Sequence, residues 1–505
     1  MLKLKSSGEL YEQYVTAMNR IADLRFAGAV LQWDQETYLP PKGAALRGQQ
    51  IATLSELAHE YFTRKDFGEL LKELEQRTDL TELQRSNVQL SAYDYSRQEK
   101  FSASFVRKLT EAVNTAFHSW INARKENNFS LFSIPLETLT TLKRQEAELA
   151  GYAHHPYDAL LNEFDKGSTV ALLDEVFGQI IPPLNDIVQQ IQQRPQPDDQ
   201  ILKKFYPKDQ QWAMGMRILG ELGFDFEAGR QDISAHPFTT NFNRNDVRIT
   251  TRIDEYDLGN MLWSCIHELG HALYEQGLPE EQYGLPLGEY ASLSIHESQS
   301  RLWENHIGRS KAFIDHYFPV MKTYFPEQLG DTDAETFYRA VNKVTPSMIR
   351  TEADEVTYHF HVYIRYTLEK ALIGNQLEVR DIPAFWNEQY FKLLNQVIPN
   401  DNSGCLQDVH WSHGSFGYFP TYSQGSFYAA QFYAAATEQR PEIGQGLPGP
   451  DNTTLLSWLR QEIHAHGRKF ESEALCRRVS GEPLRQSYFL KYIREKYGNL
   501  YGLKF

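Results

Sequence analysis

The run NMLWSCIHELGHALYEQG, residues 260–277, decides how this chain is read. Asp257 stands before it as a helix N-cap, and Gly277 closes it as a residue just past a helix C-terminus, so the stretch is predicted to be one helix. His267 and His271 then lie four residues apart on one face, where both imidazoles reach a single ion. Glu268 is rotated by one position. It does not share that face fully, but it reaches a water held beside the ion. A catalytic zinc site keeps one position open for water and lowers its pKa to roughly 7, and a carboxylate alongside can take the proton and hand it to a leaving amine. The competing reading is a core helix carrying two hydrogen-bonded histidines, which the apolar flanks MLWSCI and ALYE would suit. A third ligand decides between them.

The acids downstream are Glu275, Glu280, Glu289, Glu297 and Glu304. Glu275 lies a further turn along the same helix, too far up it to complete a tetrahedron. Glu280 follows Gly277-Leu278-Pro279, in a turn. YASLSIHESQSRLWENHIG (290–308) is a second helical pattern, and Glu297 sits among its apolar positions. An acid there costs several kcal/mol unless it is paired or bound to a metal, which makes Glu297 the best third ligand and Glu289, beside a glycine, the next. Glu304, two turns on, suits a hydrogen bond to a ligand histidine, or else a solvated face.

Outward from this centre the chain reads as mostly helical. Segments 10–33, 55–78 and 170–194 carry apolar residues at helical spacing, the last with a Pro-Pro interruption. RPQPDDQ (194–200) is a polar connector, and KDQQWAMGMRILGELG (208–223) is a helix that stops at a glycine. HPFTTNFNRNDVRITTRIDEYD (236–257) breaks the pattern with β-branched residues and turn letters, and reads as a small sheet or hairpin. Within it DVRIT (246–250) reads as an edge strand open to main-chain pairing with an extended peptide. Helical patterns return from 257 to 392, and helices close the chain after a glycine-rich, aromatic loop.

The 505 residues could make two or three domains or lobes, and 13% aromatics argue for a large buried core rather than disorder. A net charge of −15 argues against general binding to nucleic acid or anionic membranes. Cys265, Cys405 and Cys476 are too few and too scattered for a disulfide framework. With no apolar leader segment and no run of membrane-spanning length, a cytoplasmic protein is expected.

Two further segments carry polar groups in unusual company. MIRTEADEVTYHFHVYIRYTLEKAL (348–372) reads as one helix, with Arg350, Asp354 and Tyr358 or His361 at three- and four-residue steps on one face. Arg350 and Asp354 would pair there, but arginine is also a two-pronged clamp for a carboxylate, which an enzyme that removes C-terminal residues requires. GCLQDVHWSHGSFGYFPTY (404–422) is a loop bearing Gln407, Asp408, His410, His413, Tyr418 and Tyr422. A tyrosine or histidine there can serve as oxyanion donor, or the loop simply packs on the core.

Taken in order, HPF (236–238), DVRIT (246–250), HELGH (267–271), HESQ (296–299), IRTEAD (349–354) and GCLQDVHW (404–411) resemble the carboxypeptidase Taq family of metallocarboxypeptidases. So do LQWDQETYLPPKGAALRGQQIATLSELAHE (31–60) and HPYDALLNEFDKG (155–167), so the resemblance runs over essentially the whole chain. It implies a mainly α, large helical peptidase fold: a single catalytic domain, 1–505, with a long deep groove and a small antiparallel sheet next to the HExxH helix. Approximate lobes are 1–235, 236–425 and 426–505. It implies His267, His271 and Glu297 as ligands to one divalent metal ion per chain, zinc or cobalt, and Glu268 as general base and acid. Arg350 and the 404–411 segment are implied to hold the substrate's C-terminal end, with Asp354, Gln407, His410 and Arg248 as further substrate-binding residues. The oxyanion candidates are Tyr422, Tyr358, His361 and His410. The implied activity is removal of many C-terminal residues from peptides with a free C-terminus, poorly where that residue is proline, by an enzyme that is usually a homodimer. An oligopeptidase cutting inside short peptides would share every metal residue, and a helical binding protein with a vestigial site is the reading from another class.

Overall fold

A computed structural model describes residues 5–444 and 453–505; residues 1–4 of the N-terminal segment read above lie outside it. Helices dominate the described residues, and the only strands among them form one three-stranded sheet. The first helix, Ser7–Thr37, opens with a reciprocal cap in which Ser6 accepts from the Glu9 N–H and Glu9 accepts from the Ser6 N–H. With the helices Ala44–Thr63, Lys65–Glu75 and Glu82–Glu99 it encloses a small core of its own around Tyr14, Phe62, Phe67 and Leu71, into which Leu285 inserts. A larger core takes in the rest, from Ala116 to Tyr501. No helix of the described residues is long and apolar enough to cross a membrane.

Four expectations change. Pro182 and Pro183 do not interrupt their segment: the helix Val170–Gln192 runs through both. The sheet is mixed rather than antiparallel. Strands β1 (Gly229–Ile233), β2 (Thr239–Asn243) and β3 (Asp246–Thr251) lie in the order β1-β3-β2, with β2 antiparallel and β1 parallel to β3. The hairpin was legible, but GRQDI carries no apolar alternation to mark β1 as a strand. DVRIT is therefore the central strand, its main chain paired on both sides, and not an open edge. Finally, 348–372 is not one helix. Arg350–Glu352 forms a single tight turn and the helix begins at Tyr358. The Asp354 carboxylate accepts from the N–H groups of Thr345, Val356 and Thr357 and from the Thr357 hydroxyl, holding the chain out of helical geometry.

The sheet is laid on the HELGH helix, Leu258–Glu275. Val247, Ile249 and Thr251 alternate along β3 and are fully buried, and Thr251 shares a hydroxyl hydrogen bond with Ser264 of that helix. Asp257 does sit at the N-cap, but its carboxylate pairs with Lys203. Gly277 follows the helix end, where a Cβ would overlap the His464 ring.

Candidate active site

The HESQ helix, Leu293–Arg301, crosses the HELGH helix in direct backbone contact. A Cβ on Gly270 would lie 2.5 Å from Ser300 Cα, so the fourth letter of HELGH is the contact that brings Glu297 over the two histidines. On the other side a Cβ on Gly425, in the helix Pro420–Gln439, would lie 2.5 Å from Glu297 Cγ. Two glycines thus clamp the acid between three helices.

One ligand atom from each of His267, His271 and Glu297 lies within 4.8 Å of the others. The Nε2 atoms of His267 and His271 are 3.9 and 3.6 Å from Glu297 Oε2. Hydrogen bonds fix which nitrogen faces inward. His267 Nδ1 lies 2.9 Å from Glu304 Oε2, and an ionised carboxylate accepts only, so Nδ1 carries the proton and Nε2 offers its lone pair. Two inward nitrogens and one carboxylate oxygen are the donor set of a divalent metal. Glu304 lies in the wider turn Leu302–Gly308 that continues the HESQ helix, with hydrogen bonds from Arg301 (3.1 Å) and Arg309 (3.2 Å). Burial opposes its ionisation, but Arg301, His267 and Arg309 together hold the carboxyl well below the usual range. Arg301 also donates to Glu297 Oε1 at 2.7 Å. Burial disfavours charge on His267, but Glu297 and Glu304 outweigh it and raise the imidazole.

Glu268 is buried, and burial pushes its carboxyl above the ordinary range, against the pull of His267 and Thr239. That direction suits a base working near neutral pH. Thr239 of β2 donates to Glu268 Oε2 at 2.5 Å and to the helix carbonyl of the same residue at 3.2 Å.

A second cluster stands beside the first. Arg350 is buried and donates through Nε to Asp408 Oδ1 (3.0 Å) and through Nη1 to the Tyr358 hydroxyl (3.0 Å), while Nη2 pairs with the same Asp408 oxygen at 2.9 Å. Two of its five N–H donors are occupied by hydrogen bonds. Arg365, fully buried, donates to Asp408 Oδ2 at 2.7 Å and to Gln407 Oε1 at 2.8 Å. Gln407 Oε1 also accepts from the Arg350 N–H. Tyr422 lies under the Arg350 guanidinium, 4.9 Å from its ring centre, and its hydroxyl is 3.1 Å from His410 Nε2. Burial and Arg350 hold His410 down to about 3, so it is neutral. Tyr358 links the clusters: the Arg301 guanidinium lies 4.4 Å from its ring centre and Arg350 is on its hydroxyl.

The predicted residues therefore fall into three sets. His267, His271, Glu297 and Glu268 gather at one centre; Arg350, Gln407, Asp408, His410, Tyr358 and Tyr422 gather at the other. Asp354 and Arg248 face elsewhere, and His361 lies behind the clamp. Asp354 holds its own turn. Arg248 pairs with Asp246 and lies 4.3 Å from the Trp33 ring centre, towards the first helix. His361 Nδ1 is on the Tyr390 hydroxyl, and Arg365 donates to that hydroxyl and to the His361 carbonyl. Glu289 pairs with Arg468. Sequence reasoning missed Arg301, Arg365 and Thr239. Arg301 stands four residues after Glu297 and Arg365 four after His361, so helical spacing could have found both; Thr239 becomes visible only once β2 is known to lie on the HELGH helix.

A centre of two half-buried histidines and one buried carboxylate, with an acid beside it, defines a metallopeptidase-type site. The chain belongs to the carboxypeptidase Taq (M32) metallopeptidase family, whose sequence profile matches residues 13–497. It is 37% identical over 494 residues to carboxypeptidase 1 of Bacillus subtilis, covering 97% of this chain and 99% of that protein. It is 38% identical to thermostable carboxypeptidase 1 of Thermus thermophilus, covering 97% and 99%. The fold matches the crystal structure of an M32 carboxypeptidase from Deinococcus radiodurans with a TM-score of 0.96, 38% identity, and 98% and 100% coverage. The resemblance seen in the ordered motifs holds, and the chain is a metallocarboxypeptidase.

Proposed function

We propose that this enzyme removes C-terminal residues one at a time from peptides of varied sequence, recognising the free α-carboxylate at the Arg350–Arg365–Asp408 cluster. One observation carries this reading: two buried guanidiniums share one carboxylate, leaving a positive charge unbalanced. Burying an uncompensated charge is costly, and an incoming carboxylate on the donors of Arg350 still unoccupied would neutralise it.

His267, His271 and Glu297 would hold the metal ion. Their nitrogen and oxygen donors suit zinc, with cobalt as the alternative. When bound, the ion supplies Lewis acidity and makes water nucleophilic near neutral pH. Glu268 takes the proton of the attacking water and returns it to the leaving amine. Arg350, fixed by Asp408 and Tyr358, sets the distance from the chain end to the bond that is cut. Tyr422, beside Arg350 and His410, is the favoured donor to the carbonyl oxygen. Gln407 and Asp408 position the clamp from behind. Poor release of C-terminal proline and a homodimer follow from the family resemblance, a cytoplasmic location is the expectation from the sequence, and all three belong to this proposal.

Mass spectrometry of a free-ended peptide over time tests it. A ladder of losses from the C-terminus, abolished by a chelator and by C-terminal amidation, is expected. Cleavage of an internally quenched peptide blocked at its C-terminus would overturn the reading in favour of an oligopeptidase.

A further inference from the structure

The two histidines of HELGH are backed in different ways. His267 Nδ1 meets a carboxylate directly, whereas His271 Nδ1 lies 2.5 Å from His296 Nδ1. The His271 and His296 ring centres are 4.5 Å apart, so the rings meet edge to edge through these nitrogens rather than face to face. His296 Nε2 in turn lies 2.7 Å from Glu275 Oε1, and Glu275 Oε2 accepts from Asn241 Nδ2 at 2.5 Å. Glu275 is buried, on the same helix as both ligands.

With neutral rings and Glu275 as acceptor, one proton arrangement satisfies this chain. With Glu275 Oε1 as the acceptor, His296 Nε2 carries the proton. Its Nδ1 is then a lone pair and must accept from His271 Nδ1–H. That leaves the lone pair of His271 on Nε2, the nitrogen 3.6 Å from Glu297. The imidazole is therefore preset for a cation before any arrives.

We infer that His296, Glu275 and Asn241 form a positioning relay that fixes the tautomer and ring orientation of His271, and that strand β2 thereby helps to set metal affinity. Resting on the metal reading above, the relay adds three residues that bind no metal themselves. Asn241 is the point at which the sheet enters: it stands two residues from Thr239 on β2, so the two share a face, and that face holds Glu268 with one side chain and the His271 relay with the other. Partners of ligand histidines typically contribute 10–100-fold to affinity.

The test is zinc affinity of the purified, metal-stripped protein, measured by competition with a chromogenic chelator, with the melting temperature of the metal-free form alongside. Glu275→Leu should weaken zinc binding roughly 10–100-fold. Glu275→Gln, whose amide oxygen still accepts from His296, should lose clearly less, and Asn241→Ala should lose a few-fold. Zinc affinity of Glu275→Leu within twofold of wild type, in folded protein, would overturn the relay. Should that variant not fold, Asn241→Ala decides, and unchanged affinity there overturns it. A wild-type protein that takes up no zinc sinks the metal reading and the relay with it; wild-type binding with an unaffected Leu variant sinks the relay alone.

Discussion

The metal centre and the clamp beside it are unbalanced in opposite senses. Around the histidines four buried carboxylates, Glu268, Glu275, Glu297 and Glu304, face two guanidiniums, Arg301 and Arg309. At the clamp two guanidiniums face one carboxylate. Each region lacks a charge of the sign its proposed occupant brings, a cation in one and a peptide carboxylate in the other. Tyr358 lies between them, with one arginine of each region against it. On the proposed reading, a peptide end held at the clamp is kept beside the metal centre, and the difference in charge would set which end of a peptide goes where.

The largest expected effect breaks the chemistry while leaving the comparison intact. Glu268→Gln keeps the ligands and the Thr239 hydrogen bond but cannot take a proton. Its kcat should fall about 10²–10⁴-fold, while metal content by atomic absorption stays stoichiometric. Loss of metal in this variant would show that Glu268 acts as a ligand instead.

Asp408→Asn attacks the clamp from behind. It leaves Arg350 and Arg365 buried together without their shared anion, and breaking a buried pair costs about 3–5 kcal/mol. Urea unfolding should report that loss, and added salt with a carboxylate anion should recover part of it. A stability unchanged from wild type would mean that the cluster is balanced by charges outside it, and the argument from unbalanced charge would fall.

Arg350→Ala then separates the two regions. Truncating one side of a buried, charge-assisted contact costs about 2–5 kcal/mol, so kcat/KM on free-ended peptides should drop at least about 30-fold. Metal affinity should not move. Equal activity of wild type and variant would remove the clamp from substrate recognition and leave the metal site standing.

The same contrast explains what the sequence disclosed. The metal centre is built from helical repeats: four residues separate His267 from His271, and seven separate Glu297 from Glu304. Helix geometry alone places such pairs, so they were legible, and the cost of burying an acid singled out Glu297. Its crossing partner was not legible, because only the fold shows that Gly270 lies on Ser300. The clamp unites residues 58 positions apart across a turn that is not helical. There, spacing misleads: it puts Arg350, Asp354 and Tyr358 or His361 on one helical face, whereas Asp354 holds the chain before Tyr358 in a turn. Arg350 nonetheless reaches Tyr358, through its side chain rather than through shared periodicity. Strand β1 escaped notice because a parallel partner leaves no hairpin signal and GRQDI has no alternation.

The smallest predicted effect lies where sheet and metal centre meet. Thr239→Val keeps shape and β-propensity but deletes the hydroxyl on Glu268. Losing one hydrogen bond to a charged acceptor is worth about 1.5–3 kcal/mol at most, and here the freed carboxylate can still turn towards solvent or substrate. A loss of about tenfold in kcat is expected, with KM and metal affinity unchanged. Because that hydrogen bond favours the ionised carboxylate, its removal should also raise the pH at which Glu268 deprotonates. The acidic limb of the kcat profile should therefore move to higher pH, as activity requires the ionised form. A fall in kcat with no such displacement would assign Thr239 to holding the strand on the helix rather than to tuning the base.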